Sequence, residues 1–229
     1  SLVTNVANAT SGADAAIALG GGTMRRTRVI GCSGLARMSL QPSGNGDRSV
    51  VEDCEIVDNG HSTTMITAKS SDLRRTLVKG NRMTSGNVIT VYGSTLRDCV
   101  LRDNTTAGSV INNFTEGWVR SWSYLTNCLV VNNATTSGGA VSGSSVAAGA
   151  IQLDYCTVAG NSAESGYVGG IGGTGWNADY KLALSVRNSI VWGNVAGGKP
   201  ADILFGGANS EVTVNSSCFA EAAQVPDKG

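Results

Sequence analysis

Residues 125–133 read L-T-N-C-L-V-V-N-N, and residues 96–104 read L-R-D-C-V-L-R-D-N. Each stretch begins with an apolar residue, carries a cysteine three positions later and ends in an asparagine five positions after the cysteine. Further copies, some with Thr or Ser in place of the cysteine and one ending in Cys32, occupy residues 24–32, 51–59, 73–81, 153–161 and 186–194. A repeat of about 20–50 residues is typical of a solenoid, in which each unit packs on its neighbours.

The small residue at the centre of each copy sets the period. Successive copies lie 27, 22, 23, 29, 28 and 33 residues apart, at Thr27, Cys54, Thr76, Cys99, Cys128, Cys156 and Ser189. Cys218 follows 29 residues after Ser189 and is interpreted as a degenerate last copy. Because side chains alternate along a strand, the small residue shares one face with the apolar residue two positions later. These apolar residues predict an inner row of Ile56, Val78, Leu101, Val130, Val158 and Val191.

The asparagine that closes each copy lies where the chain must turn. Asparagine tolerates the left-handed backbone conformation that tight turns need. Its side-chain amide can also hydrogen-bond to the copies above and below, which predicts a structural ladder rather than a catalytic row. The ladder consists of Asn59, Asn81, Asn104, Asn133, Asn161 and Asn194.

Short apolar runs follow each asparagine, separated by Gly, Asn and Ser, as in V-I-T-V at residues 88–91. That composition favours short strands and tight turns over helices. The sequence therefore predicts an all-β fold, a parallel β-helix solenoid of about eight to nine coils. We expect residues 1–229 to form this single domain.

Charge and cysteine usage narrow the possible partners. The 17 basic and 17 acidic residues balance, so the net field favours neither nucleic acid nor an anionic membrane. No apolar run reaches the roughly 18 residues of a membrane span, so this segment is not expected to insert into a membrane. Four cysteines share one repeat slot, which favours reduced, buried thiols over disulfides. No CxxC motif or Cys/His cluster occurs, so neither a metal nor a cofactor is expected, and the lone His61 is interpreted as a surface residue.

Two stretches carry a resemblance to known proteins: N-C-L-V-V-N-N-A-T-T-S-G-G-A-V at 127–141 and R-N-S-I-V-W-G-N at 187–194. They resemble the C-x-V-x-x-N / G-G-A-V repeat of secreted bacterial surface proteins, including autotransporter and polymorphic outer-membrane types. More broadly, the chain resembles the single-stranded right-handed parallel β-helix of the pectate-lyase-like superfamily. The resemblance implies an extracellular or cell-surface location in a bacterium, and a fragment of a longer exported protein with neighbouring domains. It specifies a fold rather than an activity.

Two units are longer than the others and are rich in aromatic residues. They are the insertions 112–124 and 164–181, in coils one apart, which could flank one groove. Their candidate ligand-binding residues are Glu116, Trp118, Arg120, Trp122, Tyr124, Trp176, Asp179 and Tyr180. Aromatic rings beside charged groups suit stacking on sugar rings. The alternative is that these aromatics cover an open seam of a coil and are half buried. Trp192, inside the repeat itself, is interpreted as structural.

Stacking the repeats also aligns charged residues in columns. Asp53, Arg75 and Asp98 share one column, and Glu52, Arg74 and Arg97 share the next. Like-slot residues are near neighbours on a parallel sheet, so one interpretation is a self-neutralising network of ion pairs on a soluble face. The other is a cationic patch for acidic polysaccharide, formed by Arg74, Arg75, Lys79, Arg97 and Arg102.

Three functions fit this sequence. The first is a non-catalytic carbohydrate-binding or adhesive module, whose partner is a polysaccharide or a host or cell-surface glycan. The second is a polysaccharide lyase or glycoside hydrolase acting on acidic polysaccharide, although the N-x-D, D-D and G-H-G blocks of polygalacturonases are absent. The third is a structural stalk. Whether the protein is an enzyme stays open at this point.

Overall fold

The protein is described here from a computed structural model. The structure describes residues 1–229 except 5–6, 9–15, 35–36, 116–121, 146–149, 166–167, 176–181, 206–209, 221 and 225–229. The described residues form strands, turns and bends and include no helix. Their strands build four sheets, A to D, which the chain visits in that order in coils 1 to 8; in coil 9 the described strands lie in sheets A and C. The fold is therefore a parallel β-helix solenoid, as predicted. Each coil is numbered from its strand in sheet A.

The strands have the following bounds. Sheet A contains Leu2–Thr4, Arg28–Ile30, Glu55–Val57, Leu77–Lys79, Val100–Arg102, Leu129–Val131, Thr157–Ala159, Ile190–Trp192 and Cys218–Phe219. Sheet B contains Ala7–Asn8, Ser33–Gly34, Gly60–His61, Arg82–Met83, Thr105–Thr106, Ala134–Thr135, Ser162–Ala163, Val195–Ala196 and Lys199–Pro200. Sheet C contains Ile17–Gly20, Met38–Gln41, Ile66–Lys69, Ile89–Tyr92, Ile111–Thr115, Val141–Ser145, Ile171–Gly175, Ile203–Phe205 and Ala222–Gln224. Sheet D contains Thr23–Arg25, Val50–Glu52, Asp72–Arg74, Thr95–Arg97, Trp122–Thr126, Ala150–Asp154, Leu182–Arg187 and Ser210–Asn215.

The nine strands of sheet A give nine coils, within the predicted number. Nearly all strand pairs are parallel. The one antiparallel pair among the described strands joins Val195–Ala196 to Lys199–Pro200. Gly197 and Gly198, with φ of 55° and 74°, make the turn between them. A two-residue hairpin with both central residues at positive φ matches the twist of its strands, and glycine adopts that conformation without a steric penalty.

The core is a row of apolar side chains inside the coils. Val78 pairs in register with Ile56 below and Leu101 above, and all three are at most 1% exposed. In each strand of sheet A, the residues immediately before and after the inner apolar residue face outward. The predicted inner row is therefore confirmed, and the outer residues are free to vary without disturbing the core.

The small Cys, Thr or Ser at the centre of each repeat copy, such as Thr27 and Cys54, lies at the corner between sheet D and sheet A. Five of the six cysteines are buried, and all six are free thiols. Burial raises the pKa of the Cys54 thiol, which keeps that side chain neutral.

The interpretation of Cys218 as the last central residue is wrong by one position. Cys218 pairs with Ile190 and is exposed. Ser217 takes the central slot, where its hydroxyl accepts a hydrogen bond from the Ser189 amide at 3.1 Å. Ser216, with φ of 49°, precedes it just as Asn188, with φ of 49°, precedes Ser189. The small residue of this copy is therefore identified by the left-handed residue before it, and not by being a cysteine.

The asparagines form a continuous hydrogen-bonded ladder. The Nδ2 of Asn104 donates to Asn133 Oδ1 at 2.9 Å and to the Val78 carbonyl at 3.0 Å. The Asn104 amide donates to the same Oδ1 at 3.0 Å. The same side-chain and main-chain pair links every step from Asn59 to Asn194. Because these residues are at most 2% exposed, the ladder pairs polar groups that would otherwise be buried without partners.

Each end of the ladder has its own cap. At the start, the Cys32 amide donates to Asn59 Oδ1 at 2.9 Å. At the far end, Asp202 Oδ1 accepts from both the amide and the Nδ2 of Asn194 at 2.8 Å, and its Oδ2 accepts from the Ala220 amide at 3.0 Å. The buried carboxylate of Asp202 therefore ends the row of side-chain amides.

The turn at the ladder is not made by the ladder asparagines, contrary to prediction. The left-handed residue is the one before: Asp58, Asp103 and Asn132 have φ of 54°, 56° and 55°. Glycine takes the same place at Gly80, with φ of 66°. The ladder asparagine itself is needed for its side chain, which points into the coil, so the preceding residue supplies the left-handed backbone.

Candidate functional site

Exposed large apolar side chains are concentrated on one part of the solenoid. Among the described residues, Tyr124, Leu129, Tyr155, Ile190 and Trp192 are 41%, 36%, 64%, 50% and 53% exposed, and only Leu2 lies elsewhere. They occupy sheet D, sheet A and the corner between those two sheets in coils 5 to 8. With Trp122 beside Tyr124, we call these residues the apolar strip: Trp122, Tyr124, Leu129, Tyr155, Ile190 and Trp192.

Each strand of sheet A has two outward-facing positions, one before and one after its inner residue, which we call outer slots. Three of the six residues of the apolar strip occupy them: Leu129, Ile190 and Trp192. Leu129, Thr157 and Ile190 are successive occupants of one outer slot. Coils 2 and 3 hold Arg28 and Glu55 in the same slot, joined by an ion pair of 2.6 Å. Coils 4 and 5 hold Leu77 and Val100 in this slot, so the column carries no charge from coil 4 to coil 8.

Trp192 lies in the second outer slot of sheet A, above Ala159 and Val131. Lys79 and Arg102 occupy the same slot in coils 4 and 5. Trp192 points away from the coil and is about half exposed, so it lies outside the core, and its interpretation as a structural residue stays a prediction. The repeat places the backbone of Trp192 in a strand of sheet A, and the outward-facing position leaves its side chain 53% exposed.

Tyr155 stands at the corner between sheets D and A, with φ of 54°. The equivalent residues of the neighbouring coils are Asn127 and Asn188, also left-handed. An aromatic residue is an unfavourable occupant of this conformation, whereas asparagine tolerates it. At the same corner of the coils on either side, Asn127 donates to Asp98 at 2.7 Å and Asn188 donates to Asp154 at 2.9 Å.

Trp122 and Tyr124 form an aromatic pair on the outer face of sheet D. Their ring centroids are 6.3 Å apart and their planes differ by 20°, so the rings are stacked. Tyr124 lies between Thr95 below and Gln152 above. This arrangement presents one aromatic ring to solvent with a hydroxyl and an amide on either side.

The other candidate residues in the long units cannot be placed. Glu116, Trp118, Arg120, Trp176, Asp179 and Tyr180 lie outside the described residues. The strands around them show that the units 112–124 and 164–181 are only partly insertions, because both contain strand residues. Sheet C has five-residue strands at Ile111–Thr115 and Ile171–Gly175, where coil 3 has four residues. Part of the extra sequence therefore lengthens sheets C and D.

The charged columns have the predicted register, with Arg74 between Glu52 and Arg97. Three of the five residues of the proposed cationic patch form ion pairs: Arg74, Arg75 and Arg102. Arg75 contacts Asp53 at 2.6 Å and Glu52 at 2.5 Å. The hydrogen bond from the Arg75 guanidinium holds the pKa of each of these carboxyls below its ordinary value. These residues form the self-neutralising network that was one of the two interpretations.

The remaining members of the patch differ in their partners. Arg74 contacts Asp72 at 2.7 Å, and Arg102 contacts its neighbour Asp103 at 3.2 Å. Within the described part of the chain, Arg97 and Lys79 have no carboxylate within ion-pair distance. Two cations, one on sheet D and one on sheet A, are therefore left beside the N-terminal border of the apolar strip.

His61 is not a surface residue. It is 5% exposed and points into the coil, in register with Gly34 below and Met83 above. The sequence N-G-H-S-T resembles a turn, but its residues Gly60–His61 form a two-residue strand in which His61 faces inward. The burial of His61 removes it from any role as a surface base.

No helix in the described ranges is long and apolar enough to cross a membrane. In the same part of the chain, no three His, Cys, Asp or Glu side chains are grouped so that they could hold a metal ion. Neither a protein-family model nor a curated protein matches this sequence. The exposed residues and their geometry are therefore what indicates a function.

Proposed function

We propose that this protein is a non-catalytic carbohydrate-binding module, which holds a polysaccharide or cell-surface glycan against the apolar strip. The observation that carries the proposal is the concentration of exposed aromatic and aliphatic side chains in coils 5 to 8. Soluble proteins rarely expose a contiguous apolar patch without a binding role. Four of the sheet A slots in the N-terminal coils hold charged residues, at Arg28, Glu55, Lys79 and Arg102, so the fold does not require an apolar residue there.

The chemistry of the strip suits sugars. The faces of pyranose rings carry C–H groups that pack on aromatic rings, while their hydroxyl groups need hydrogen-bond partners at the edge. Tyr124 is bordered by Thr95 and Gln152, and an Asn–Asp pair lies at the corner of the coil on either side of Tyr155. Rings with polar edges are better matched to a glycan than to a wholly apolar partner.

The backbone of Tyr155 adds a second argument. The fold places a left-handed residue at this corner in every coil from Arg26 to Ser216, and Tyr155 is its one aromatic occupant, at a cost of about 1–3 kcal/mol. Asparagine occupies this position in the adjacent coils and would relieve the strain. A ligand contact made by the ring accounts for tyrosine at that corner.

The likeness to secreted bacterial surface proteins of the autotransporter and polymorphic outer-membrane types supports this proposal. Together with the likeness to the pectate-lyase-like superfamily, it favours an exported, cell-surface or extracellular protein from a bacterium. In that setting a glycan-binding side of the solenoid would serve adhesion.

Affinity gel electrophoresis on a panel of neutral, uronate-rich and sulfated polysaccharides tests the proposal. We expect the protein to be retarded by at least one of them. Tyr124→Ala, Tyr155→Ala and Trp192→Ala should each weaken that binding about tenfold, which corresponds to about 1.4 kcal/mol. Leu2→Ala is the matched control, because Leu2 is 64% exposed but lies outside the strip. Equal loss in the control and the strip variants would contradict the proposal.

A degradation assay separates binding from catalysis. The protein is incubated with the same panel, with and without calcium, and unsaturated products and new reducing ends are followed. Product release would replace the binding module with a lyase or hydrolase and direct attention to Arg97 and Lys79. If the protein neither releases products nor is retarded in the gel, a structural stalk is the function that remains.

A further inference from the structure

Four side chains with soft donor atoms line one cavity inside coils 1 to 3. They are Cys32, Met38, His61 and Met65, and we call the space between them the lumen cavity. Its volume is about 10 Å³, which is room for about one water molecule or one ion. The cavity is separate from the apolar strip, which lies in coils 5 to 8.

The sequence explains why a space exists at this level. Gly34 lies in register beneath His61 and has no side chain to fill the inner slot. Cys32 occupies the position of a ladder asparagine and is smaller than the residue it replaces. The coil below His61 is therefore underpacked, whereas above it Met83 fills the same slot.

His61 gives the second, independent indication of a ligand. Its side chain is about 95% buried, being 5% exposed, and its Nδ1 has no hydrogen-bond partner among the described residues. Buried polar atoms are nearly always paired, so an unpaired imidazole nitrogen requires an explanation.

The donor atoms around the cavity belong to one chemical class. A thiol, two thioethers and an imidazole are soft or borderline ligands, and sulfur ligands of this kind select Cu(I), zinc or iron–sulfur clusters. Zinc and iron–sulfur sites use Cys, His or carboxylate ligands, so the two thioethers favour Cu(I). Among the described residues no carboxylate lines the cavity, and Arg37 at its border is an exposed residue. A monovalent cation balanced by one thiolate buries no net charge, which avoids the main cost of an ion in a protein interior.

We propose that the lumen cavity is a binding site for a single Cu(I) ion, held by Cys32 Sγ, His61 Nδ1 and the thioethers of Met38 and Met65. On binding, the Cys32 thiol loses its proton to solvent and the copper–sulfur bond forms, with no change in oxidation state. The metal would tie sheet B to sheet C and to the corner after sheet A in the N-terminal coils.

The site is hidden in the sequence because its ligands come from two coils. Cys32 and Met38 belong to coil 2, and His61 and Met65 belong to coil 3. Stacking connects them: the Gly60 amide donates to the Cys32 carbonyl and the Met38 amide donates to the Met65 carbonyl, both at 2.8 Å. All four methionines and the single histidine lie between residues 24 and 83, which is the only trace the site leaves in the sequence.

Anaerobic titration of Cu(I) against a colorimetric Cu(I) chelator tests the proposal. A Cys218→Ser background removes the exposed thiol, which would bind copper at the surface. We expect one equivalent of Cu(I) to be withheld from the chelator, with an ultraviolet thiolate-to-copper absorption. His61→Gln and Cys32→Ser should each weaken binding at least tenfold, whereas Cys54→Ser and Met83→Leu, outside the cavity lining, should not.

Two results would overturn the proposal. One is that the Cys218→Ser protein withholds no copper. The other is that His61→Gln and Cys32→Ser bind as tightly as their background, in which case the cavity holds only water. Circular dichroism checks that both variants fold. If either does not, Met38→Leu and Met65→Leu decide, because these swaps conserve volume and remove only the thioether; unchanged binding in both would also overturn the site.

Discussion

The outer slots of sheet A change character along the solenoid while the inner row stays the same. In coils 2 to 5 these slots mix the charged residues Arg28, Glu55, Lys79 and Arg102 with the apolar residues Ile30, Val57, Leu77 and Val100. In coils 6 to 8 all of them are uncharged, and they include Leu129, Ile190 and Trp192. Between them the inner residue is always a buried Val, Ile or Leu. The difference teaches that the ladder and the inner row determine the fold and leave the outer slots to function.

The largest effect should come from the ladder, which both halves share. Asn81→Ala and Asn161→Ala each leave two buried donors of the asparagine before them without an acceptor, and one buried carbonyl without a donor. Each unsatisfied group costs about 1–3 kcal/mol, so we expect a loss of about 3 kcal/mol or more in the free energy of unfolding. Urea denaturation followed by circular dichroism measures it.

The two halves should respond alike to this change. Asn215→Ala is the control, because that side chain is exposed and should matter by no more than about 0.5 kcal/mol. A large loss for Asn81→Ala with little loss for Asn161→Ala would break the comparison, since it would mean that the two halves have different interiors.

A smaller effect should distinguish the N-terminal half by its response to pH. The pKa of His61 is lowered from 6.5 by burial, so the unfolded chain binds a proton more readily than the folded one. Stability is therefore complete above pH 6.5 and falls as the pH drops below it. His61→Gln should abolish this decline in metal-free protein, as measured by urea denaturation at pH 7.5 and pH 5.5.

A second decline should follow at lower pH. Arg75 lowers the pKa of Glu52 and Asp53 from 4.5 and 3.8, so their contribution is present above those values and is lost as the pH falls through the lowered ones. Arg75→Gln should reduce that decline, because Arg25 still lowers the pKa of both carboxyls, and should leave the one due to His61. An acid response that was identical in wild type and both variants would place its cause elsewhere in the chain.

The smallest effect should come from the apolar strip. Trp192→Ala should change the free energy of unfolding by no more than about 1 kcal/mol, because the ring is 53% exposed. The adjacent Val191→Ala should cost about 2 kcal/mol, since Val191 is fully buried. If Trp192→Ala proved as costly as Val191→Ala, the tryptophan would be a packing residue and the strip would lose one of its members.

The interior was predictable because its requirements recur in every coil. An inner apolar residue, a small central residue and a buried asparagine must each satisfy the same neighbours, so the sequence repeats them. The exact turn positions were harder, since Asp58, Asn132 and Gly160 adopt the left-handed conformation beside a ladder residue that also suits it.

The candidate site was only partly predictable. Trp122 and Tyr124 stood out because they lie in a long unit. Tyr155, Ile190 and Trp192 were missed because they occupy regular slots, where only comparison with Asn127, Glu55 and Lys79 shows that they are unusual. Cys32 and His61 are 29 positions apart in the chain, and no spacing rule brings them together without the register of the coils.

The caps of the asparagine ladder have a consequence for how such a chain can change length. Every internal asparagine accepts two bonds from the coil before it and donates the same two to the coil after it, so the joints between coils are interchangeable. Removal of the 23 residues from 82 to 104 would leave Asn81 facing Asn133 with the same bonding groups. Cys32 and Asp202 do not have this property, because each bonds as a terminus. Whole coils can therefore be gained or lost by duplication and deletion between these two ends, and the solenoid can vary in length without a new core or a new cap.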